Sequence, residues 1–203
     1  MRLATVAILL GCFIASRSTA QVVLFDDNFE GNLSAWSTPG YGVIVPDPLD
    51  AGNKVLSFSH TANSGNMWSS PLSVSAGTIY VFSFRYLGNA DGSDSGGYLW
   101  LVDPAYGNVA TCPVWGTHPA NANVELIDDG QWHSYQLTFA VTDFFAPMSG
   151  QLQVTVEDWD GAAGVSPPAN VAGDAFFDDI QIYELGAVPS DVSTWGELKA
   201  SFR

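Results

Sequence analysis

The chain has 203 residues, which suits one domain of ordinary size. It carries 21 acidic and only 6 basic residues, for a formal net charge of −15. Nucleic acid and anionic membrane surfaces both recruit basic side chains, so neither is an expected partner. The acidic surface instead favours a soluble protein or one that binds cations.

Residues 1–20 have the pattern of a secretory signal peptide. Arg2 precedes an apolar stretch over residues 3–15, and small residues at 18–20 predict cleavage after Ala20. The apolar stretch is too short to span a bilayer, so we expect no membrane insertion. The alternative is a lipoprotein signal in which Cys12, at the end of "LLGC", carries the lipid. We favour simple export, which predicts a secreted or cell-surface protein.

Short β-rich runs separated by Gly, Pro, Asn and Asp fill residues 21–185. About nine runs at this spacing predict an all-β domain, an antiparallel two-sheet β-sandwich or jelly roll. The predicted strands are 22–25, 41–45, 54–60, 66–74, 78–87, 97–103, 132–141, 151–159 and 176–184. Only Cys112 follows the signal peptide, so we expect no internal disulfide.

The two-residue period of a strand predicts which side chains enter the core. On three strands the apolar residues alternate clearly. The predicted core positions are Tyr80, Phe82, Phe84 and Tyr86; Tyr135, Leu137 and Phe139; and Leu152, Val154 and Val156.

Asp178 stands out in the last predicted strand. The same period places it on one face with Phe176, Ile180 and Ile182. A carboxylate on a core face is costly unless a partner satisfies it. If the first and last strands are neighbours, Glu30 lies close to Asp178. Two adjacent carboxylates repel each other unless they are protonated or bridged by a cation, and calcium prefers such oxygen ligands. The alternative is that backbone N–H groups or a buried hydroxyl satisfy Asp178 without metal.

Five segments, taken together and in this order, resemble a known family. They are "NFEGNLSAW", "GNKVLSFS", "GTIYVFSFRYL", "GQWHSYQLTF" and "FFDDIQIYE". This order is similar to that of calcium-containing jelly-roll carbohydrate-binding modules of the galactose-binding-like group. From "MWSSPLSV" onward, about residues 66–185, the chain also resembles the laminin domain IV module.

The first resemblance implies a structural calcium ion and a non-catalytic glycan-binding function. In those modules, a glutamate after the first strand and the first aspartate of "DD" hold the metal, which corresponds to Glu30 and Asp178 here. Backbone oxygens at Asn53 and Lys54 would complete the ligand set, and Asp179 is a weaker candidate. The second resemblance implies an extracellular adhesion or matrix module without a sugar site.

A glycan site needs aromatic faces and planar polar groups. The positions opposite the predicted core faces supply both, which makes a polysaccharide or other glycan the expected partner. The candidate ligand-binding residues are Arg85, Tyr98, Trp100, Gln136, Gln153 and Glu157. The period does not say which sheet each strand joins, and Trp100 could instead lie in the core with Leu99 and Leu101 outside.

A small glycoside hydrolase is the minor alternative. Such an enzyme needs two carboxylates on either side of the sugar bond, and "VEDWDG" at 156–161 is the densest acidic cluster. The cluster does not match the E-x-D-x-x-E strand of jelly-roll endoglucanases, however, because its second acid, Asp158, directly follows Glu157. We therefore expect no catalytic residues.

The C-terminal residues differ in composition from the predicted sandwich. Residues 186–193 are predicted to be a linker, and residues 194–203 an amphipathic helix. Thr194 and Glu197 suit a capping box, while Trp195, Leu198 and Phe202 share one face. The segment resembles a short ending, S-T-W-G-x-[IL]-K-x-x-[FY]-R, of exported bacterial proteins. That resemblance implies a surface or secretion-machinery partner for the tail.

Overall fold

The computed structural model describes residues 22–37, 42–58, 65–91, 95–109, 112–117, 122–141, 149–158 and 175–187. Within these ranges the regular secondary structure is β, in 13 strands. The strands are β1 (Val22–Asp27), β2 (Gly42–Pro46), β3 (Lys54–Phe58), β4 (Gly65–Trp68), β5 (Leu72–Ser73), β6 (Thr78–Leu87), β7 (Gly97–Asp103), β8 (Gly107–Asn108), β9 (Trp115–Gly116), β10 (Val124–Glu125), β11 (His133–Val141), β12 (Gln151–Asp158) and β13 (Phe176–Ala187).

The strands form two sheets, as predicted. The first sheet has the order β11-β6-β13-β3-β2, with β1 also paired to β13. The second has the order β10-β9-β7-β12-β4, with β5 on β12 and β8 on β7. Pairing is antiparallel except between β9 and β10. This is the predicted sandwich, and its topology is consistent with a jelly roll.

The short strands β8, β9 and β10 were not predicted, and the bounds of the other strands agree with the prediction to within two residues except in two places. The predicted strand 66–74 is divided into β4 and β5, because Pro71 lies between them and has no N–H for a ladder. β13 continues three residues beyond the predicted end, and the last two, Gly186 and Ala187, pair with Ile79 and Thr78. The predicted signal peptide and C-terminal helix lie outside the described residues. The described part contains no helix of the length and apolarity needed to cross a membrane.

The core between the sheets follows the predicted alternation. Tyr80, Phe82, Phe84 and Tyr86 are all buried, as are the alternate residues of β12. Trp115 from the second sheet meets Phe82 and Phe84 of the first edge-on, with ring centroids 5.5 and 5.4 Å apart. Such contacts join the two sheets through aromatic packing.

A β-bulge in β13 corrects the prediction for Asp178. Asp178 pairs with Arg85 and Gln181 with Ser83, so two residues of β13 lie opposite Phe84 alone. Asp179 absorbs the extra residue with a φ of 48°. Because a bulge reverses the alternation, Phe177 enters the core in place of the predicted Phe176, and Asp178 shares the outer face with Arg85.

Candidate functional site

The predicted ligand-binding residues lie on two different sheets. Arg85 and Gln136 belong to β6 and β11 of the first sheet, whereas the other four belong to β7 and β12 of the second. Their outer faces point away from a shared core, so the six candidate residues do not form one surface. Each sheet carries a separate polar face.

The outer face of the second sheet carries two tryptophans in one row. Thr155 pairs with Trp100 on one side and with Trp68 on the other. Directly opposed residues project to the same face, and strands are about 4.8 Å apart, so the indoles start roughly 10 Å from each other. Trp68 is 42% exposed and Trp100 partly exposed. Leu99 and Leu101 are buried, which settles the open alternative and excludes Trp100 from the core.

We call this surface the indole face. It consists of Asn66, Trp68, Tyr98, Trp100, Gln153, Thr155 and Glu157. In the next row Glu157 lies between Tyr98 and Asn66, and both Tyr98 and Glu157 are buried. Gln153 donates to the Ser69 carbonyl at 2.9 Å, which fixes its amide in place.

Two polar atoms on the indole face lack partners. Trp100 Nε1 and Thr155 Oγ1 are buried, and neither has a hydrogen-bond partner in the described structure. Buried polar groups are nearly always hydrogen-bonded, so such a pair needs an explanation. Sequence reasoning did not identify Trp68 as a candidate. Its alternation with Met67, which is in the core, was the available signal.

At the first sheet, Asp178 and four other side chains form a closed ring. Asn53 Nδ2 donates to Asp178 Oδ2 at 3.1 Å and to Asp47 Oδ2 at 3.2 Å. Trp132 Nε1 donates to both Asp47 oxygens, at 3.1 and 3.2 Å. Arg85 closes the ring: its Cζ lies 4.6 Å from the centroid of the Trp132 ring, and its NH1 atom is 3.4 Å from Asp178 Oδ2. The ring borders a cavity of about 530 Å³.

The two carboxylates of the ring differ in electrostatics. Burial raises the pKa of Asp178 above its ordinary value, and the bond from Asn53 only partly opposes this. At Asp47 burial also acts to raise the pKa, but hydrogen bonds from the Leu49 N–H, Asn53 and Trp132 outweigh it and lower the pKa. Asp178 is therefore the less well compensated charge, since desolvation disfavours its ionised form.

The structure brings the four predicted metal residues together around the start of β3. Glu30 Oε1 accepts the Lys54 backbone N–H at 2.9 Å, and Asn53 contacts Asp178. Lys54 Nζ donates to the Glu30 carbonyl at 3.1 Å, and the Asn53 carbonyl accepts the Asp47 N–H at 3.0 Å. Within the described ranges, no three His, Cys, Asp or Glu side chains are grouped so that they could hold a metal ion. The available donors are two carboxylates and peptide oxygens, a set whose chemistry suits calcium.

Comparison with known proteins addresses the fold. No protein-family model and no curated protein sequence matches the chain. A solved cyclase from Fischerella sp. TAU is 13% identical over 84% of this chain and all of its own, with a TM-score of 0.51. The CBM22-1 xylan-binding domain of Paenibacillus barcinonensis Xyn10C is 16% identical, covering 84% of this chain and 99% of that domain, with a TM-score of 0.48.

A third structure is the carbohydrate-binding module CBM6cm-2 from Cellvibrio mixtus lichenase 5A, in complex with cellotriose. It is 15% identical over 79% of this chain and 97% of that chain, with a TM-score of 0.42. The likeness to the cyclase agrees with the two-sheet architecture. Identities this low do not carry over a ligand or a reaction.

Proposed function

We propose that this chain is an exported, non-catalytic carbohydrate-binding module that binds a glycan on its indole face. The observation that carries the proposal is the row Trp68–Thr155–Trp100, in which two indoles flank one small residue on three neighbouring strands. Sugar rings present C–H surfaces that stack on aromatic faces, and rigid strands hold such platforms well.

A polar group beside the indoles supports the same function. Gln153 lies one row from Thr155 and is only partly buried, so its amide oxygen can accept a hydrogen bond from a sugar hydroxyl. The two indoles would supply the apolar stacking surface for the glycan, and Gln153 would supply a hydrogen bond beside it.

Calorimetric titration of the protein with soluble polysaccharides tests this function. Xylan and cello-oligosaccharides, the ligand types named for two of the structures above, belong in the panel. Losing a central aromatic anchor typically costs about 2 kcal/mol, or roughly thirtyfold in affinity. We expect that loss for Trp100→Ala and for Trp68→Ala. Tyr106→Ala is the matched control, because Tyr106 is 70% exposed in the turn after β7.

Three results would contradict the proposal. Unchanged affinity in both tryptophan variants would remove the indole face as the site. If the wild type binds no glycan on a broad array, the adhesion-module alternative becomes the better explanation. Release of reducing ends from any polysaccharide in the panel would contradict the non-catalytic assignment.

Calcium is the proposed structural cofactor. Glu30 and Asp178 would hold the ion together with peptide oxygens at Asn53 and Lys54, and this would tie the loop after β1 to β3 and β13. An ion at a hundred times its Kd stabilises the folded state by about 2.7 kcal/mol. That corresponds to roughly 5–10 °C in Tm for a domain of this size. We therefore expect EDTA to lower the Tm by about this amount.

Two variants make the calcium test specific. Asp178→Ala should abolish the difference between calcium and EDTA, whereas Asp179→Ala should keep most of it. Identical wild-type melting curves in calcium and EDTA would refute the proposed ion.

A further inference from the structure

The outer face of the first sheet carries a groove. Gln136, Ser83 and Gln181 form one row across β11, β6 and β13, and Ser134, Arg85 and Asp178 form the next. A cavity of about 400 Å³ lies over these rows, and it shares Arg85 and Asp179 with the 530 Å³ cavity beside Trp132. Each cavity falls within the size range of small-ligand sites, about 300–1,000 Å³. We call the combined cavities the amide groove.

The amide groove offers both donors and acceptors. Gln136 is exposed, and Gln181 Nε2 donates to Asp26 Oδ1 at 3.1 Å, which orients its amide. Arg85 contacts Asp178 and Asp179 only at 3.4 and 3.5 Å, long distances for charge-assisted bonds. A ligand hydroxyl could therefore bind the guanidinium without displacing a short ion pair.

Charge narrows the class of ligand. The larger cavity is lined by four aspartates, at 47, 50, 178 and 179, and by one basic residue, Arg85. An anionic sugar such as a uronate would be repelled by this excess of carboxylates. An ammonium group would have to compete with Arg85, which already lies over the Trp132 ring. Neutral vicinal hydroxyls avoid both costs, because they donate to carboxylates and accept from guanidinium and amide groups.

We propose that the amide groove is a second glycan-binding site, specific for neutral sugars, on the side of the sandwich opposite the indole face. This site does not depend on the proposed function of the indole face, since no residue is shared between them. A module with both sites binds two glycan chains at once, one on each sheet.

The test is calorimetric titration of the full chain with neutral oligosaccharides, including xylohexaose and cello-oligosaccharides. Wild type should bind at two sites per chain. The double variant Gln136→Ala/Gln181→Ala should lose about tenfold in affinity at one of them, since each lost hydrogen bond is worth roughly 1 kcal/mol. Thr138→Ala is the matched control, because Thr138 is exposed on the same strand but outside the cavities.

A second readout locates the site directly. The side-chain NH₂ signals of Gln136 and Gln181 should shift in NMR spectra when the neutral sugar is added, and they should still shift in Trp100→Ala. A single site per chain that the double glutamine variant leaves unchanged would overturn the amide groove and leave the indole face intact. Binding of only chitosan oligomers or only oligogalacturonate at the groove would overturn its neutral specificity. A single site per chain that is lost in the double glutamine variant and binds with unchanged affinity in Trp100→Ala would instead refute the indole face.

Discussion

The bulge in β13 makes opposite predictions for two adjacent phenylalanines. Phe177 is fully buried and its ring centroid lies 5.2 Å from that of Tyr86, whereas Phe176 is only partly buried. Replacing a fully buried phenylalanine with alanine typically costs about 3–5 kcal/mol. At about 2–4 °C per kcal/mol, Phe177→Ala should lower the Tm by roughly 6–20 °C.

Phe176→Ala is the matched comparison. A half-buried side chain of this size contributes roughly 1 kcal/mol, so the variant should lose only a few degrees. Thermal unfolding followed by circular dichroism, with calcium held constant, measures both changes in Tm. If Phe176→Ala costs as much as Phe177→Ala or more, the alternation is unbroken. Asp178 would then face the core, and the proposals for the calcium ion and for the amide groove would lose their basis.

Two further predictions concern other parts of the chain. At Asp103, burial acts to raise the pKa, but bonds from the Ala105 N–H and from Ser149 outweigh it and lower the pKa. A carboxyl group whose pKa is lowered by folding stabilises the folded state at any pH above its ordinary pKa, and this stabilisation is lost as the pH falls through the folded-state pKa. Asp103→Asn should therefore lower the free energy of unfolding by about 1–3 kcal/mol at neutral pH. The difference in Tm between wild type and Asp103→Asn should become smaller as the pH is lowered. A difference that stays constant across a pH series would contradict this prediction. Deleting residues 190–203 should leave the calcium-dependent Tm unchanged while altering where an exported protein accumulates; a large fall in Tm would show that the segment is part of the fold.

The core could be predicted from the sequence because alternation is a local property. Each residue's face depends only on its neighbours, and β6 and β12 contain no irregularity that would reverse it. The bulge was not predictable in this way. It depends on Asp179 adopting a left-handed backbone conformation. It also depends on how β13 pairs with β6, a strand about 95 residues earlier, where two residues of β13 lie opposite Phe84.

The division of the candidate site between two sheets was also beyond the sequence. Arg85 and Trp100 lie on consecutive long strands, yet β6 and β7 belong to different sheets. Strand pairing is set by contacts between distant segments, so outward-facing residues can be recognised without knowing which of them share a surface. The prediction that Glu30 lies near Asp178 was conditional on the first and last strands being neighbours, and β1 does pair with β13.

The position of β13 has a consequence for the order of folding. It is the last described strand, yet it lies between β6 and β3 and also pairs with β1. Three strands therefore cannot complete their pairing until residues 176–187 are present. Contacts of such long sequence separation form slowly. A nascent chain would leave the pairing edges of β6 and β3 open until residues 176–187 have been synthesised, and open edges invite aggregation. Truncation before residue 176 should therefore yield an aggregating polypeptide and not a smaller folded domain.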